Sequence, residues 1–267
     1  MQHVSVIMPI HCANPFMDEA IDSILSQTYK SFTLYIIVNG GNESLRLNLA
    51  EKYYKDHRVN VISTEIKFIP FALNYAVNMT KSNIIIRMDS DDISYPARIE
   101  CIVSKFESSN ADIIFSNYNF IDETGASIRK TTSLPTDDLT IKKKLMYRCI
   151  IPHPTVAFKR DIFQKMGGYS FGQYSEDYDL WLRMMREMNV NFCCIEKPLL
   201  AYRLHQSQVT SKENLYTIFC YDFSLKIREL LLSKKMAWIM PVLILPFDFV
   251  YQKYVHILFK WFRDLKD

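Results

Sequence analysis

Three carboxylates fall within four residues at Asp89-Ser90-Asp91-Asp92, directly after the apolar run Ile84 to Met88. Side chains this close repel one another at neutral pH unless water, a cap or a cation takes up the charge. A solvated acidic turn is the plain reading. At the end of a buried strand, however, oxygen ligands suit Mg²⁺ or Mn²⁺, which in turn bridges a diphosphate, and that position favours the second reading. Asp92 also has a simpler use, capping the segment that follows. A second acidic group, Ser175-Glu176-Asp177-Tyr178-Asp179, stands before the helical-looking Leu180 to Met188. Taken alone it reads as a cap matched to the helix dipole. Arg203 and His205 follow Pro198-Leu-Leu-Ala-Tyr202, spaced so that an extended chain points both the same way.

The elements that must hold these residues are legible as alternating strands and helices. His3 to Ile10 is a β-branched run, and Met17 to Gln27 carries Ala20, Ile21, Ile24 and Leu25 at helical spacing. Phe32 to Val38 reads as a second strand ending in Asn39-Gly40-Gly41-Asn42, Leu45 to Tyr54 as a helix and Val59 to Ile62 as extended. Phe71 to Met79 suits a helix, Asn83 to Met88 a central strand, Ile99 to Phe106 a helix and Asp112 to Ser116 a strand. This alternation predicts an α/β fold with a mainly parallel sheet covered by helices on its faces. Ligands of such sheets sit beyond the carboxyl ends of the strands, here after Ile10, Val38 and Met88. Asp122 to Lys144 is polar with turn signals at Gly125 and Pro135, which suits an excursion forming a rim rather than a core element.

In this order the motifs resemble the family-2 nucleotide-sugar glycosyltransferases of GT-A fold, particularly the bacterial enzymes of O-antigen and capsule assembly. The resemblance covers roughly residues 3 to 210 and rests on four pieces. These are Val4 to Pro9 with Ala20 to Tyr29, Arg87-Met-Asp-Ser-Asp-Asp-Ile93 with Pro96 and Arg98, Gly167-Gly-Tyr169 with Glu176 to Arg183, and Tyr202-Arg-Leu-His205. It implies that Asp91 binds the metal, Mn²⁺ or Mg²⁺, that His205 either completes the metal's shell or contacts the phosphate, and that Asp89 lies near the ribose and diphosphate. Asp177 is then the general base that takes the proton of the acceptor hydroxyl as it attacks the anomeric carbon, in an inverting single displacement. Pro9, Asn74, Arg98 and Arg203 fall to the nucleotide-sugar site, Arg203 by pairing with phosphate, and Gln206 to Lys212 become a flap over bound donor. His153 and Glu176 fall to the acceptor side together with Trp181, which either stacks on a sugar face or fills the core. The Gln-x-x-Arg-Trp signature of processive synthases is missing, so one sugar per encounter is expected.

Two departures bear on the donor. Where many relatives carry Asp-Asp-Gly-Ser, this chain has Asn39-Gly40-Gly41-Asn42; Asn39 still offers an amide oxygen to a uracil N–H. The usual Asn-x-Gly is replaced by Ile66 to Ile69, where Lys67 either adds positive charge to the diphosphate site or is simply solvated. A UDP-sugar carrying a hexose or N-acetylhexosamine is the expected donor.

Composition limits the alternatives. Of 267 residues 49% are hydrophobic and 23% charged, with 6 Gly and 10 Pro, which excludes collagen-like and wholly disordered chains. Lys and Arg number 32 against 29 Asp and Glu, a net +3 with no concentrated basic track, so neither a nucleic-acid partner nor a nuclease is expected. The six cysteines have no CxxC spacing and no basic-then-apolar leader follows Met1, so reduced, cytoplasmic thiols are expected. The longest apolar run, Met236 to Phe247, holds two prolines and is too short to cross a bilayer. We divide the chain into a catalytic domain, 1–212, and a helical C-terminal appendage, 213–267. The appendage interleaves Trp238, Phe247, Phe249, Tyr251, Tyr254, Phe259, Trp261 and Phe262 with Lys234, Lys235, Lys253, Lys260 and Arg263. Helices of that kind lie in a headgroup layer, which suits an undecaprenyl-diphosphate-linked acceptor at the inner face of the cytoplasmic membrane; covering the sheet or forming a homodimer is the other use. The rival readings are a nucleotidyltransferase, which usually needs a Gly-rich basic loop that Ile10 to Phe16 lacks, and a degenerate sugar-binding or scaffold protein, against which Asp89, Asp91 and Asp177 argue.

Overall fold

The computed structural model describes residues 1–130, 133–170, 172, 174–205 and 214–250. The expected flap, Gln206 to Lys212, and the aromatic tail from Tyr251 onward lie outside the described residues.

The opening strand β1 (Val4–Ile10) sits between β2 (Phe32–Asn39) and β4 (Ile84–Arg87), parallel to both, and β3 (Val59–Thr64) extends the parallel set beyond β2. Both faces of these strands are apolar because both are covered. Val6, Met8, Ile36 and Ile86 pack on one side against Ile21 and Ile24 of α1 (Met17–Leu25), Leu49 of α2 (Glu43–Tyr53) and Ile102 of α4 (Arg98–Ser108). Ile7, Ile37 and Ile85 pack on the other against Leu73 of α3 (Ile69–Met79) and the helices that follow later in the chain. Local signals start the helices: Asn42 accepts the Leu45 N–H at 3.1 Å to cap α2, and Pro70 occupies the first turn of α3, where its missing N–H costs nothing.

Beyond β4 the sheet is mixed rather than continuously parallel. β8 (Ala157–Lys159) runs antiparallel between β4 and β6 (Ile113–Ile121), and β9 (Phe192–Arg203) is parallel to β6. The strand order is β3-β2-β1-β4-β8-β6-β9-β5, with β5 (Ile93–Ser94) antiparallel to β9 and β7 (Ser127–Lys130) antiparallel to β6. Two expectations are corrected here. The polar stretch 122–144 holds β7 and most of α5 (Asp138–Tyr147), whose Ile141 and Leu145 are fully buried. Two apolar residues one turn apart seat this helix, and the intervening Lys142, Lys143 and Lys144 mask the pattern. Arg203 ends β9 instead of lying in a polar tail, and Pro198 is tolerated inside that strand because the β6–β9 register shifts there.

The opposite layer is completed by α6 (Arg160–Lys165) and α7 (Glu176–Glu187). The chain ends, within the described residues, in α8 (Leu215–Ser233) and α9 (Ile239–Val250). α8 is an inverted helix: its buried residues are Lys226 and Glu229, while Tyr216, Leu231 and Leu232 are exposed. The inward charges are paired, Glu229 with Arg186 of α7 at 2.5 Å and Lys226 with the Tyr147 carbonyl at 2.5 Å, as burial of charge requires. Arg228 pairs with Asp179 of α7.

Candidate active site

The acidic run follows β4 at the carboxyl edge of the sheet, where β1 and β2 also end. Oxygen atoms of Asp89, Asp91 and Asp92 lie within 4.8 Å of one another. Burial raises the Asp89 carboxyl above the usual range and Asp92 well above it, and the neighbouring carboxylates add to both. Asp92 caps no helix. It is fully buried, one oxygen accepts the Arg203 N–H at 2.9 Å, and the other has no partner among the described residues. His205 Nε2 meets Asp91 Oδ2 at 2.8 Å. Crowded carboxylates, an orphaned carboxylate oxygen and one imidazole are a donor set that fits a hard divalent cation.

Asn39 closes β2 as a buried residue whose amide oxygen has no partner among the described residues. Its carbonyl lies 3.2 Å from His11 Nδ1. Gly40, at φ +87°, is packed so closely that a Cβ would come within 3.2 Å of the His11 ring and 3.3 Å of Lys67 Cβ, so this turn both needs the left-handed backbone and gathers His11 and the exposed Lys67 around Asn39. Pro9 pairs with Ile37 one residue short of the end of β1, at the same edge.

The second acidic group opens α7 four residues earlier than its apolar pattern suggests, which puts Glu176 and Asp177 in the first turn. Asp177 Oδ1 accepts the Tyr178 N–H at 2.7 Å, whereas Oδ2 has the Cys149 thiol at 3.8 Å and His153 Nδ1 at 3.9 Å as its neighbours among the described residues. His153 also lies 3.8 Å from Glu176 and meets the Tyr169 hydroxyl through Nε2 at 2.7 Å. Burial raises the Asp177 carboxyl and, with Asp177 beside it, pushes Glu176 up to about 7. Arg87 connects the two acidic groups. Buried at the end of β4, it pairs with Asp89 at 2.7 Å, leaves Nε and Nη1 without partners among the described residues, and lies in the field of Glu176 and Asp177.

Four of the residues expected at the ligands make their contacts within the protein. Arg98 is fully buried, with its guanidinium on the carbonyls of Arg87 at 2.6 Å and Pro154 at 2.7 Å; burial lowers it to about 10. Arg203 is 1% exposed and holds the carbonyls of Asp91, Asp122 and Glu123 at 2.9, 3.1 and 3.1 Å, pairs with Glu19, and lies over the Phe16 ring. It fixes the acidic loop from behind. Asn74 spends both ends of its amide on the Tyr169 backbone, at 2.8 and 2.9 Å, tying down the loop that carries Tyr169. Trp181 fills the core beneath His153, 6.2 Å away and edge-on.

Residues that the sequence reading passed over complete the site. His11, Arg87, Tyr169, Cys149 and Asn14, whose side chain donates to Ser90 at 3.1 Å, all face its groups. Arg87 had a local signal, a charge closing an otherwise apolar strand; the others meet the site only through the fold.

The layered mixed sheet with an acidic loop at its carboxyl edge is the GT-A fold of nucleotide-sugar transferases. The chain belongs to glycosyl transferase family 2, whose model matches residues 5–167. It is 39% identical over 226 residues to the O-antigen biosynthesis glycosyltransferase WbnJ of Escherichia coli, covering 84% of this chain and 87% of that one. An uncharacterized glycosyltransferase of Methanocaldococcus jannaschii, MJ1057, is 30% identical over 81% of this chain and 77% of its own. Among solved structures, residues 1–349 of S. aureus TarS in complex with UDP-GlcNAc superpose with a TM-score of 0.75 over 94% of this chain and 74% of that one; at 13% identity this likeness speaks for the fold alone.

Proposed function

We propose that the protein is a metal-dependent, inverting glycosyltransferase that moves a hexose or N-acetylhexosamine from a UDP-sugar to a lipid-linked saccharide in O-antigen assembly. The observation that carries this is buried Arg87, which pairs with Asp89 of one acidic centre and lies in the field of Glu176 and Asp177 of the other, the first centre fit for a cation and the second for a proton. The relative WbnJ supports the O-antigen setting, and TarS, which shares the fold, is a protein seen in complex with UDP-GlcNAc. Asn39 supports a uridine donor, since its buried amide oxygen, without a partner among the described residues, suits a uracil N–H. Asp91 and His205 would hold Mn²⁺ or Mg²⁺, with Asp89 alongside, and the bound ion would offset charge growing on the leaving diphosphate.

The remaining chemistry belongs to the chain. The acceptor oxygen attacks the anomeric carbon, the bond from that carbon to the diphosphate breaks, and Asp177 Oδ2 takes the hydroxyl proton. That oxygen is suited to the role because its neighbours among the described residues are a thiol and an imidazole at 3.8 and 3.9 Å. Its raised affinity for protons brings it closer to the operating pH, where a general base works best. His153 and Glu176 would flank the acceptor.

The acceptor would be undecaprenyl-diphosphate-linked, which requires work at the inner face of the cytoplasmic membrane. No described helix is long and apolar enough to cross a bilayer. The support for surface contact is the outward apolar face of α8 and α9, with Lys234 and Lys235 exposed between them. Thermal melting of the protein with UDP and Mn²⁺ tests the donor site, against GDP, CMP and dTDP with the metal and UDP with EDTA. Ligand at about 100 times its Kd adds about 2.7 kcal/mol of stability, so a rise specific to UDP with metal is expected, and lost in Asp91→Ala. A rise with another nucleotide would replace the donor, and none with any would favour a degenerate binding protein.

A further inference from the structure

We propose that Asp222 of α8 is a positioning residue for the general base: by accepting the Ser175 hydroxyl it holds Ser175 in the left-handed backbone from which α7 launches Glu176 and Asp177. Ser175 has φ 58° and ψ 25°, a conformation that L-residues other than Gly, Asn and Asp seldom adopt and that persists only where the surroundings impose it. Serine is a preferred helix cap, yet this one makes no side-chain cap to α7. Its hydroxyl goes instead to Asp222 Oδ1, at 2.7 Å. The residues that follow are the acidic pair, and their direction is set by the turn that Ser175 makes.

A second grip from the same helix supports this. One turn after Asp222, the buried Lys226 donates to the Tyr147 carbonyl at the end of α5. Two residues beyond Tyr147 stands Cys149, whose thiol faces Asp177 Oδ2 at 3.8 Å. α8 thus holds the chain on both sides of Asp177. Burial pushes the Asp222 carboxyl up to about 6, with Asp177 adding to the rise and Lys226 and the Ser175 hydroxyl opposing it. The contribution assigned to Asp222 is the hydrogen bond it accepts from Ser175.

The inference rests on Asp177 as base, so Asp177→Asn is measured beside it. The readout is UDP release from UDP-glucose, UDP-galactose, UDP-GlcNAc and UDP-GalNAc with Mn²⁺. Asp222→Ala should lower kcat tenfold or more with donor KM within twofold, and Asp222→Asn, which keeps an acceptor oxygen, should stay within threefold of wild type. Ser175→Gly in the Asp222→Ala background should restore most of the rate, because glycine takes the left-handed turn unaided. Wild-type kcat in Asp222→Ala, a change in KM alone, or no recovery with Ser175→Gly would overturn the proposal. If Asp177→Asn kept its rate, the base assignment would fall instead; if it lost its rate while Asp222→Ala did not, only the role of Asp222 would. A crystal structure of Asp222→Ala decides the case in which none of the four sugars is turned over: Ser175 should leave the left-handed region, and an unchanged φ refutes the proposal.

Discussion

Asp177 and Glu176 share a first helical turn but stand in different surroundings, and the difference separates their roles. Asp177 Oδ2 is the oxygen with room for an acceptor proton. Asp177→Asn should keep metal-dependent UDP binding and lose transfer by about 10² to 10⁴, the usual contribution of a general base; isothermal titration beside a rate assay checks both halves, and a near wild-type rate would remove the base. Glu176 makes a stability prediction. Its carboxyl moves from an ordinary value near 4.5 to about 7 on folding, so between those values the folded state keeps a proton that the unfolded state releases. Stability therefore falls as pH rises through that window, by up to about 3 kcal/mol, and the loss is complete above it. Glu176→Gln should stabilise the nucleotide-free protein at pH 8 and do little at pH 4.5; equal urea midpoints for both proteins at pH 8 would contradict the shift. Asp89, Asp91, Asp177 and His205 stand out in the sequence because each lies in a short motif, whereas the contact of His205 with Asp91 and that of Cys149 with Asp177 arise only through the fold. Arg98, Arg203 and Asn74 lie in the same patterns and face inward instead, since spacing does not distinguish an arginine that binds phosphate from one that binds its own chain's carbonyls.

At the scale of elements, the acidic loop is held by what surrounds it. β9 delivers Arg203 behind the loop, where its fork holds three carbonyls while its backbone N–H engages Asp92. Lysine carries the charge but not the fork. Arg203→Lys should leave those buried carbonyls short of donors and lower the melting temperature of the ligand-free protein by about 5 °C, corresponding to about 2 kcal/mol. UDP affinity with Mn²⁺ should fall together with it. Had Arg203 been a phosphate ligand, affinity would fall while ligand-free melting stayed put, so differential scanning calorimetry separates the two. The helices and the parallel strands were legible from their apolar spacing. β9 was not, because Pro198 breaks the pattern and the register shift that accommodates it is a property of the pairing with β6. α5 was missed for the opposite reason, its two buried residues being too few to mark a period.

The whole molecule couples an inner polar surface to an outer apolar one through α8. Inward, Asp222, Lys226, Arg228 and Glu229 reach Ser175, Tyr147, Asp179 and Arg186; outward, Leu231 and Leu232 are exposed. The exposed face continues along the next segment as Met236, Met240, Leu243 and Phe247, 53–76% exposed, at spacings of four, three and four that set one stripe along a helix. A protein gains nothing by keeping such side chains in water, and each is worth roughly 1.5–3 kcal/mol when buried. Lys234 and Lys235 at the head of the stripe add attraction to anionic headgroups, about 1 kcal/mol each near the surface. The protein should therefore co-sediment with vesicles rich in phosphatidylglycerol and only weakly with pure phosphatidylcholine. Leu243→Asp with Phe247→Asp should abolish the binding, whereas 0.5 M salt should reduce it only in part, because the apolar share is not screened. If the double variant still sediments with vesicles, the stripe is not the contact. If it instead turns a dimer into a monomer by analytical ultracentrifugation, the stripe faces a second copy of the chain, and α8 joins the base of one subunit to the surface of another.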